Sequence, residues 1–253
     1  MKNDFEHLTS RKNRIISHIR SVAGDKSYRE QCGEYICDGE KTLLEALRFG
    51  AEIKCVLWKN TASEIELPES VNQYTAPDDL FEYASPLKSS PGPVFTVKIP
   101  DRADAGDIKN AIVLENLQDP GNVGTVIRTA NAFNIDAVIL VGACADLYNP
   151  KTVRASMGAI FRQTVYSMSI DELCDFTKKQ KLPLYGAALS DKASDLRGVS
   201  VKNAAVAIGS EGRGLSDSFR AVCDGEIIIP MNPDSESLNA AIAASVIMWE
   251  MSR

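Results

Sequence analysis

The sequence predicts an α/β protein in two parts: a small amino-terminal α/β domain over residues 1–100 and, after a linker over 101–110, a larger domain over 111–253 built on a parallel sheet. Three observations carry that prediction. Runs at 111–117, 137–142, 204–208 and 226–229 are apolar-rich, as strands buried on both faces are. Helical segments alternate with them, the order expected of a parallel sheet covered on both sides. The stretch from Pro100 to Asn110 is rich in Asp, Ala and Gly and separates this pattern from what precedes it. A length of 253 residues suits two domains, one of them small, at roughly 100–200 residues each.

The elements follow in order. Residues 11–23 place Ile15, Ile16, Ile19 and Val22 on one face at helical spacing. EYIC at 34–37 reads as a short strand, EKTLLEALRF at 40–49 as a helix closed by Gly50, and KCVLW at 54–58 as a second strand. Residues 60–93 are polar and proline-bearing and read as a loop ending in Ser89-Ser90-Pro91-Gly92-Pro93. VFTVKI at 94–99 alternates as a strand does. In the second domain AIVLENL at 111–117 is a buried-type strand followed by a glycine turn, a helix over 123–133 and a strand at 137–142. Asn149 is placed to cap a helix whose first position is Pro150. A helix over 171–181, strands at 184–188, 204–208 and 226–229, and a closing helix over 237–251 complete the pattern.

Composition narrows the function classes. With 28 Lys+Arg against 34 Asp+Glu, the net charge is −6, which argues against a protein that coats nucleic acid by bulk charge. Locally the balance reverses: between residues 10 and 30, Arg11, Lys12, Arg14, Arg20, Lys26 and Arg29 face only Asp25 and Glu30. The six cysteines form no C-x-x-C pair, and His7 and His18 are the only imidazoles, so no metal site is expected and the thiols fit a reducing cytoplasm. The amino terminus lacks the apolar core of a signal peptide. The longest near-apolar stretches, at 137–145 and 240–249, fall short of the ~20 residues that span a bilayer, so no membrane partner is expected.

Three segments carry candidate chemistry, each just past an apolar strand, where ligands sit in open α/β sheets. The first is Asn116-Leu117-Gln118-Asp119-Pro120-Gly121-Asn122-Val123-Gly124-Thr125-Val126-Ile127-Arg128. It reads either as a plain turn with Asp119 or Asn122 capping the helix, or as a site in which Asn122 and Arg128 face a common ligand. The second is Ile208-Gly209-Ser210-Glu211-Gly212-Arg213-Gly214-Leu215-Ser216. Its glycines let the backbone approach a ligand closely, and Glu211 sets it apart from a phosphate cradle. The third runs from Ile227-Ile228-Ile229-Pro230-Met231 through Ser235-Glu236-Ser237-Leu238-Asn239 into a small-residue helix, with Ser235 or Ser237 as the expected cap.

In order and spacing these three segments resemble the motifs of the SpoU/TrmH RNA ribose methyltransferases. Val153-Arg154-Ala155-Ser156-Met157-Gly158-Ala159 is similar to the family's intermediate segment. The resemblance covers roughly residues 108–253. Ser10-Arg11-Lys12-Asn13 and Cys37-Asp38-Gly39-Glu40-Lys41 are similar, more loosely, to the substrate-binding domain of the family's ribosomal-RNA branch; Cys37-Asp38 stands where members often carry an apolar residue and Glu.

The resemblance implies a transfer of methyl from S-adenosylmethionine to a ribose 2′-hydroxyl of structured RNA, with large-subunit ribosomal RNA the expected substrate. It implies that Gly209, Ile229 and Leu238 line the methyl donor's pocket and that Asn122, Arg128, Glu211, Ser237 and Asn239 form the polar active site. It also implies a carboxy-terminal trefoil knot and a homodimer. Arg11, Lys12, Arg14, Arg20, Arg29 and Arg154 are then the residues expected to contact RNA, with no DNA partner. A guanidinium with a pKa above ~12 is an awkward base, so Arg128 either stabilises a developing alkoxide while holding a phosphate or acts as a base after a large shift. Three alternatives stand beside this reading. A transfer-RNA ribose methyltransferase shares the fold. A catalytically silent RNA-binding homologue is disfavoured by the joint presence of Asn122, Arg128, Glu211 and Asn239. A dinucleotide enzyme would need G-x-G-x-x-G after the first strand, where 118–124 reads QDPGNVG.

Overall fold

Most of the apolar runs become strands of two separate sheets in a computed structural model of the chain, which describes residues 5–87, 90–101, 106–232, 234 and 237–253. The chain divides into two compact units, Met1–Arg102 with Tyr148–Phe161, and Ala103–Leu147 with Arg162–Arg253.

The first unit holds β1 (Glu6–His7), α1 (Arg14–Gly24), α2 (Lys26–Cys32), β2 (Glu34–Asp38), α3 (Glu40–Arg48) and β3 (Ile53–Lys59). It continues with β4 (Asn72–Ala76), α4 (Asp78–Ala84) and β5 (Val94–Lys98). The sheet order is β1-β4-β3-β5-β2, with β2 and β3 antiparallel to β5 and the β1–β4 and β3–β4 pairs parallel. Asn13 starts α1 by accepting the Ile15 N–H at 2.8 Å, and Ile16, Ile19 and Val22 are fully buried against the sheet's core. Each such burial contributes about 1.5–3 kcal/mol. Gly50, in the left-handed region at φ 67°, closes α3: its N–H donates to Leu47 O and the Ala51 N–H to Ala46 O.

Residues 60–93, expected as loop, contain β4 and α4. In β4 only Thr75 and Ala76 are buried, and α4 buries Leu80, Phe81 and Ala84 in about two turns. Neither shows enough periodicity to stand out from a polar stretch. Of the expected loop signal over 89–93, Ser89 lies outside the described residues, and residues 90–93 are neither helix nor strand. The segment 148–161, expected within the second domain, packs in the first unit. There Val153, 3% exposed, joins the cluster of Tyr35, Leu43 and Trp58, and Tyr148 stacks on Tyr35 with ring centroids 4.7 Å apart. Its helix α6 (Pro150–Ala155) begins at Asn149, whose side chain accepts the Lys151 N–H at 2.9 Å.

The second unit holds β6 (Ala111–Glu115), α5 (Pro120–Ala132), β7 (Ala137–Val141), β8 (Val165–Met168), α7 (Ile170–Gln180) and β9 (Leu184–Ala187). Then come β10 (Ser194–Asp195), β11 (Ala205–Ile208), α8 (Asp217–Arg220), β12 (Gly225–Ile228) and α9 (Ala240–Ser252). Its strands are all parallel, in the order β10-β12-β9-β11-β6-β7-β8. Ala111 and Val113 of β6 point into one core with Leu173 and Phe176 of α7; Ile112 and Leu114 are equally buried on the other face. α5 and α9 pack together, and α9 also contacts β11. Among the described residues no helix is long and apolar enough to cross a membrane.

Candidate active site

Three connections leave the carboxyl ends of β6, β11 and β12. After β6, the Asp119 side chain accepts the Asn122 N–H at 2.8 Å and Pro120 takes the first helical position, so α5 starts with Asn122 in its first turn. After β11 the chain folds on itself: Ser210 N–H donates to Gly214 O at 3.1 Å and Gly214 N–H to Ser210 O at 2.9 Å. A Cβ at Gly209 would lie 1.9 Å from the Gly214 carbonyl carbon, so only glycine allows this turn. After β12 the chain reaches Asn239, whose Oδ1 accepts the N–H groups of Ala241 at 2.9 Å and Ile242 at 3.2 Å. Asn239, not a serine, is therefore the cap of α9. The helix starts at Ala240, later than expected, and Ser235 lies outside the described residues.

The three connections converge. Asn122 Nδ2 donates to Glu211 Oε1. Asn239 Nδ2 donates to Asn122 Oδ1 at 3.2 Å and to Glu211 Oε1 at 3.3 Å. The two amides thus hold one carboxyl oxygen and leave the other to accept a further donor. Beside the trio is a cavity of about 670 Å³, within the usual ligand-pocket range of about 300–1,000 Å³. Gly209, Glu211, Ile229, Ser237, Leu238 and Asn239 all line it. Apolar walls, a backbone stripped of side chain at Gly209 and a polar corner at Glu211 and Asn239 suit a ligand with a flat heterocycle and a charged tail.

Arg128 is the exception among the predicted site residues. It is exposed on α5 and is not part of the cavity lining. Six residues along a helix of 3.6 per turn leave it about 120° round the axis from Asn122, so the two do not share a face. In the first unit Arg11, Lys12, Arg14 and Arg20 are exposed, as is Arg154. Arg20 and Arg11 both lie over the Tyr83 ring, at 3.9 and 4.5 Å from its centroid, and Arg20 Nη1 donates to Tyr83 O at 2.5 Å. Arg29 corrects the expectation of an RNA contact: it is 4% exposed, and its Nη1 donates inward to Val22 O at 2.8 Å. Burial pushes the Asp38 carboxyl above its ordinary range, against the opposing pull of the Arg154 charge.

Several participants escaped sequence reasoning. Arg220 lines the cavity and forks onto Glu226, Nε to Oε1 at 2.7 Å and Nη2 to Oε2 at 3.1 Å, holding that carboxyl below its ordinary range. Tyr83, in the proline-bearing stretch, and Glu115, in a strand, gave no signal. Among the described residues no three His, Cys, Asp or Glu side chains cluster as metal ligands do.

Comparison with known proteins adds to this geometry. The profile of the SpoU rRNA Methylase family matches residues 109–249. The 23S rRNA (guanosine(2553)-2'-O)-methyltransferase of Bacillus subtilis is 27% identical over 248 residues, covering 98% of this chain and 99% of that one. The 23S rRNA (uridine(2479)-2'-O)-methyltransferase of Streptomyces viridochromogenes is 28% identical, covering 97% and 91%. Among solved structures, the SpoU methyltransferase AviRb from Streptomyces viridochromogenes in complex with the cofactor AdoMet superimposes with a TM-score of 0.84 at 25% identity, covering 95% of this chain and 98% of that one.

Proposed function

Because the chain belongs to the SpoU rRNA methylase family, we propose that it methylates a ribose 2′-hydroxyl of ribosomal RNA, with S-adenosylmethionine as the methyl donor. The observation that carries this reading is the meeting of Asn122, Glu211 and Asn239 at the cavity lined by Gly209, Ile229 and Leu238. Ribosomal RNA is favoured over transfer RNA because relatives matched over nearly their whole length are named as 23S rRNA methyltransferases.

The residues present fit the donor. Gly209 offers backbone without a side chain, Ile229 and Leu238 offer apolar contact, and Glu211 and Asn239 offer polar partners at one end. When bound, S-adenosylmethionine supplies a methyl group already activated on sulfonium. What is left to the protein is to align the hydroxyl and ease loss of its proton. Asn122 and Asn239 fix Glu211, whose second carboxyl oxygen accepts the incoming hydroxyl's hydrogen bond. Arg128, exposed on α5 outside the cavity lining, is placed to bind a phosphate of the RNA, a role that suits a guanidinium with a pKa above ~12 better than that of a base.

RNA affinity comes from the first unit, through Arg11, Lys12, Arg14 and Arg20, with Arg154 as a further contact. The proposal includes a homodimer. α9 is apolar all round, and while Ala244, Ile247 and Met248 are buried, Ile242, Val246 and Trp249 stand 51%, 38% and 56% exposed along one stripe, as a helix face covered by a second copy would. It includes the carboxy-terminal trefoil knot that the resemblance to the SpoU/TrmH enzymes implies. It also places the protein in the cytoplasm with its substrate.

Incubation with tritiated S-adenosylmethionine and either undermethylated 23S rRNA or transfer RNA, followed by nucleoside analysis, tests the reading. Label in a 2′-O-methylnucleoside of 23S rRNA supports it. Label in transfer RNA alone moves the substrate, and no label in either refutes the activity.

A further inference from the structure

Glu115 ends β6 and is 2% exposed. A carboxyl buried at a strand end costs free energy unless its oxygens are bonded. Here one residue bonds both: Ser216 N–H donates to Oε2 at 2.8 Å and Ser216 Oγ to Oε1 at 2.5 Å. Ser216 Oγ in turn accepts the Phe219 N–H at 3.2 Å, capping α8.

Ser216 is where the 209–215 loop ends. β11 runs parallel beside β6 with Ile208 opposite Leu114, and Gly209 and Glu115 are the next residues along the two chains. The loop therefore leaves the sheet next to Glu115 and is tied back to Glu115 at its far end. Between these anchors the reciprocal Ser210–Gly214 bonds and the closed space at Gly209 hold a tight turn that carries Glu211.

We propose that Glu115 is a positioning residue for methyl transfer: by clamping Ser216 it sets the base of the 209–216 loop, and so the Gly209 backbone in the cavity and Glu211 against Asn122 and Asn239. The strand itself needs only an apolar residue at this position; the loop needs two acceptors. The proposal rests on the reading of the cavity as the S-adenosylmethionine site.

Glu115→Leu removes both acceptors at similar bulk. Calorimetry with S-adenosylmethionine should show Kd raised roughly tenfold or more, and amides 210–216 should exchange faster while those of β6 and β7 keep their protection. Glu115→Gln should stay within about threefold of wild type, its carbonyl accepting the Ser216 N–H and its amide donating to Ser216 Oγ. If Glu115→Leu does not fold, Ser216→Ala, which deletes only the hydroxyl, should raise Kd roughly three- to tenfold. Wild-type Kd and loop exchange in a folded Glu115→Leu, or in Ser216→Ala, overturns the positioning role. Wild-type protein that takes up no S-adenosylmethionine overturns instead the reading of the cavity on which the role rests.

Discussion

Asn239 Nδ2 donates to Asn122 Oδ1 at 3.2 Å, joining residues 117 positions apart. The same Asn239 caps α9 through Oδ1. One side chain therefore starts the core helix and holds the polar trio, and its two roles can be separated by mutation. Asn239→Asp keeps the cap, so stability should change by only a few tenths of a kcal/mol. It replaces the donor with a second carboxyl facing Glu211, and methyl transfer should fall about 100-fold or more. Asn239→Ala loses both and should cost about 1 kcal/mol of stability as well. Thermal melts beside single-turnover assays check the split; an active Asn239→Asp would remove Asn239 from the site.

The arginines of the first unit divide by burial. Arg29→Ala deletes the buried bond to Val22 O and should cost about 2 kcal/mol, leaving the salt dependence of RNA binding unchanged. Arg20→Ala and Arg11→Ala remove exposed groups stacked on Tyr83. Each should lower the slope of log affinity against log salt by about one, with little change in melting. Filter binding across a salt series distinguishes the two classes.

How far the sequence could be read follows from the same contrast. Strands β6, β7, β11 and β12 lie inside a parallel sheet and so appear as apolar runs, whereas β4 buries only Thr75 and Ala76 and was lost in a polar stretch. A charge window counts Arg29 with Arg20, although side-chain direction turns one inward and the other out. Asn122, Glu211 and Asn239 could be read because each stands in a motif. Glu115 could not: its partner lies 101 residues away, and nothing in local periodicity marks such a pair. Arg128 stands on the expected helix, but a six-residue step on a 3.6-residue turn sets it about 120° round the axis from Asn122, so sequence spacing alone does not bring the two to one face.

Acid should weaken the first unit through Glu34. Its burial raises the carboxyl, but hydrogen bonds from His18, at 3.1 Å, and Thr96, with the charges of His18 and Lys54, outweigh burial and hold it below its ordinary range. A carboxyl lowered on folding stabilises at pH above its unfolded value, and that contribution is lost as pH falls through the folded value. Melting midpoints should therefore drop on acidification more steeply for wild type than for Glu34→Gln. Parallel acid slopes would remove Glu34 as the cause.

The exposed stripe on α9 predicts the assembly. Val246→Glu puts a charge between Ile242 and Trp249, and sedimentation should show a folded monomer where wild type gives twice the chain mass. A monomeric wild-type protein would leave that stripe without its proposed cover.

The most direct measurement is a map of ribose 2′-O-methylation in ribosomal and transfer RNA from cells with and without the gene, complemented by wild type or Asn239→Asp. The account predicts one 23S rRNA position that loses its methyl group, regains it with wild type and stays bare with the variant. Identical maps with and without the gene would contradict it.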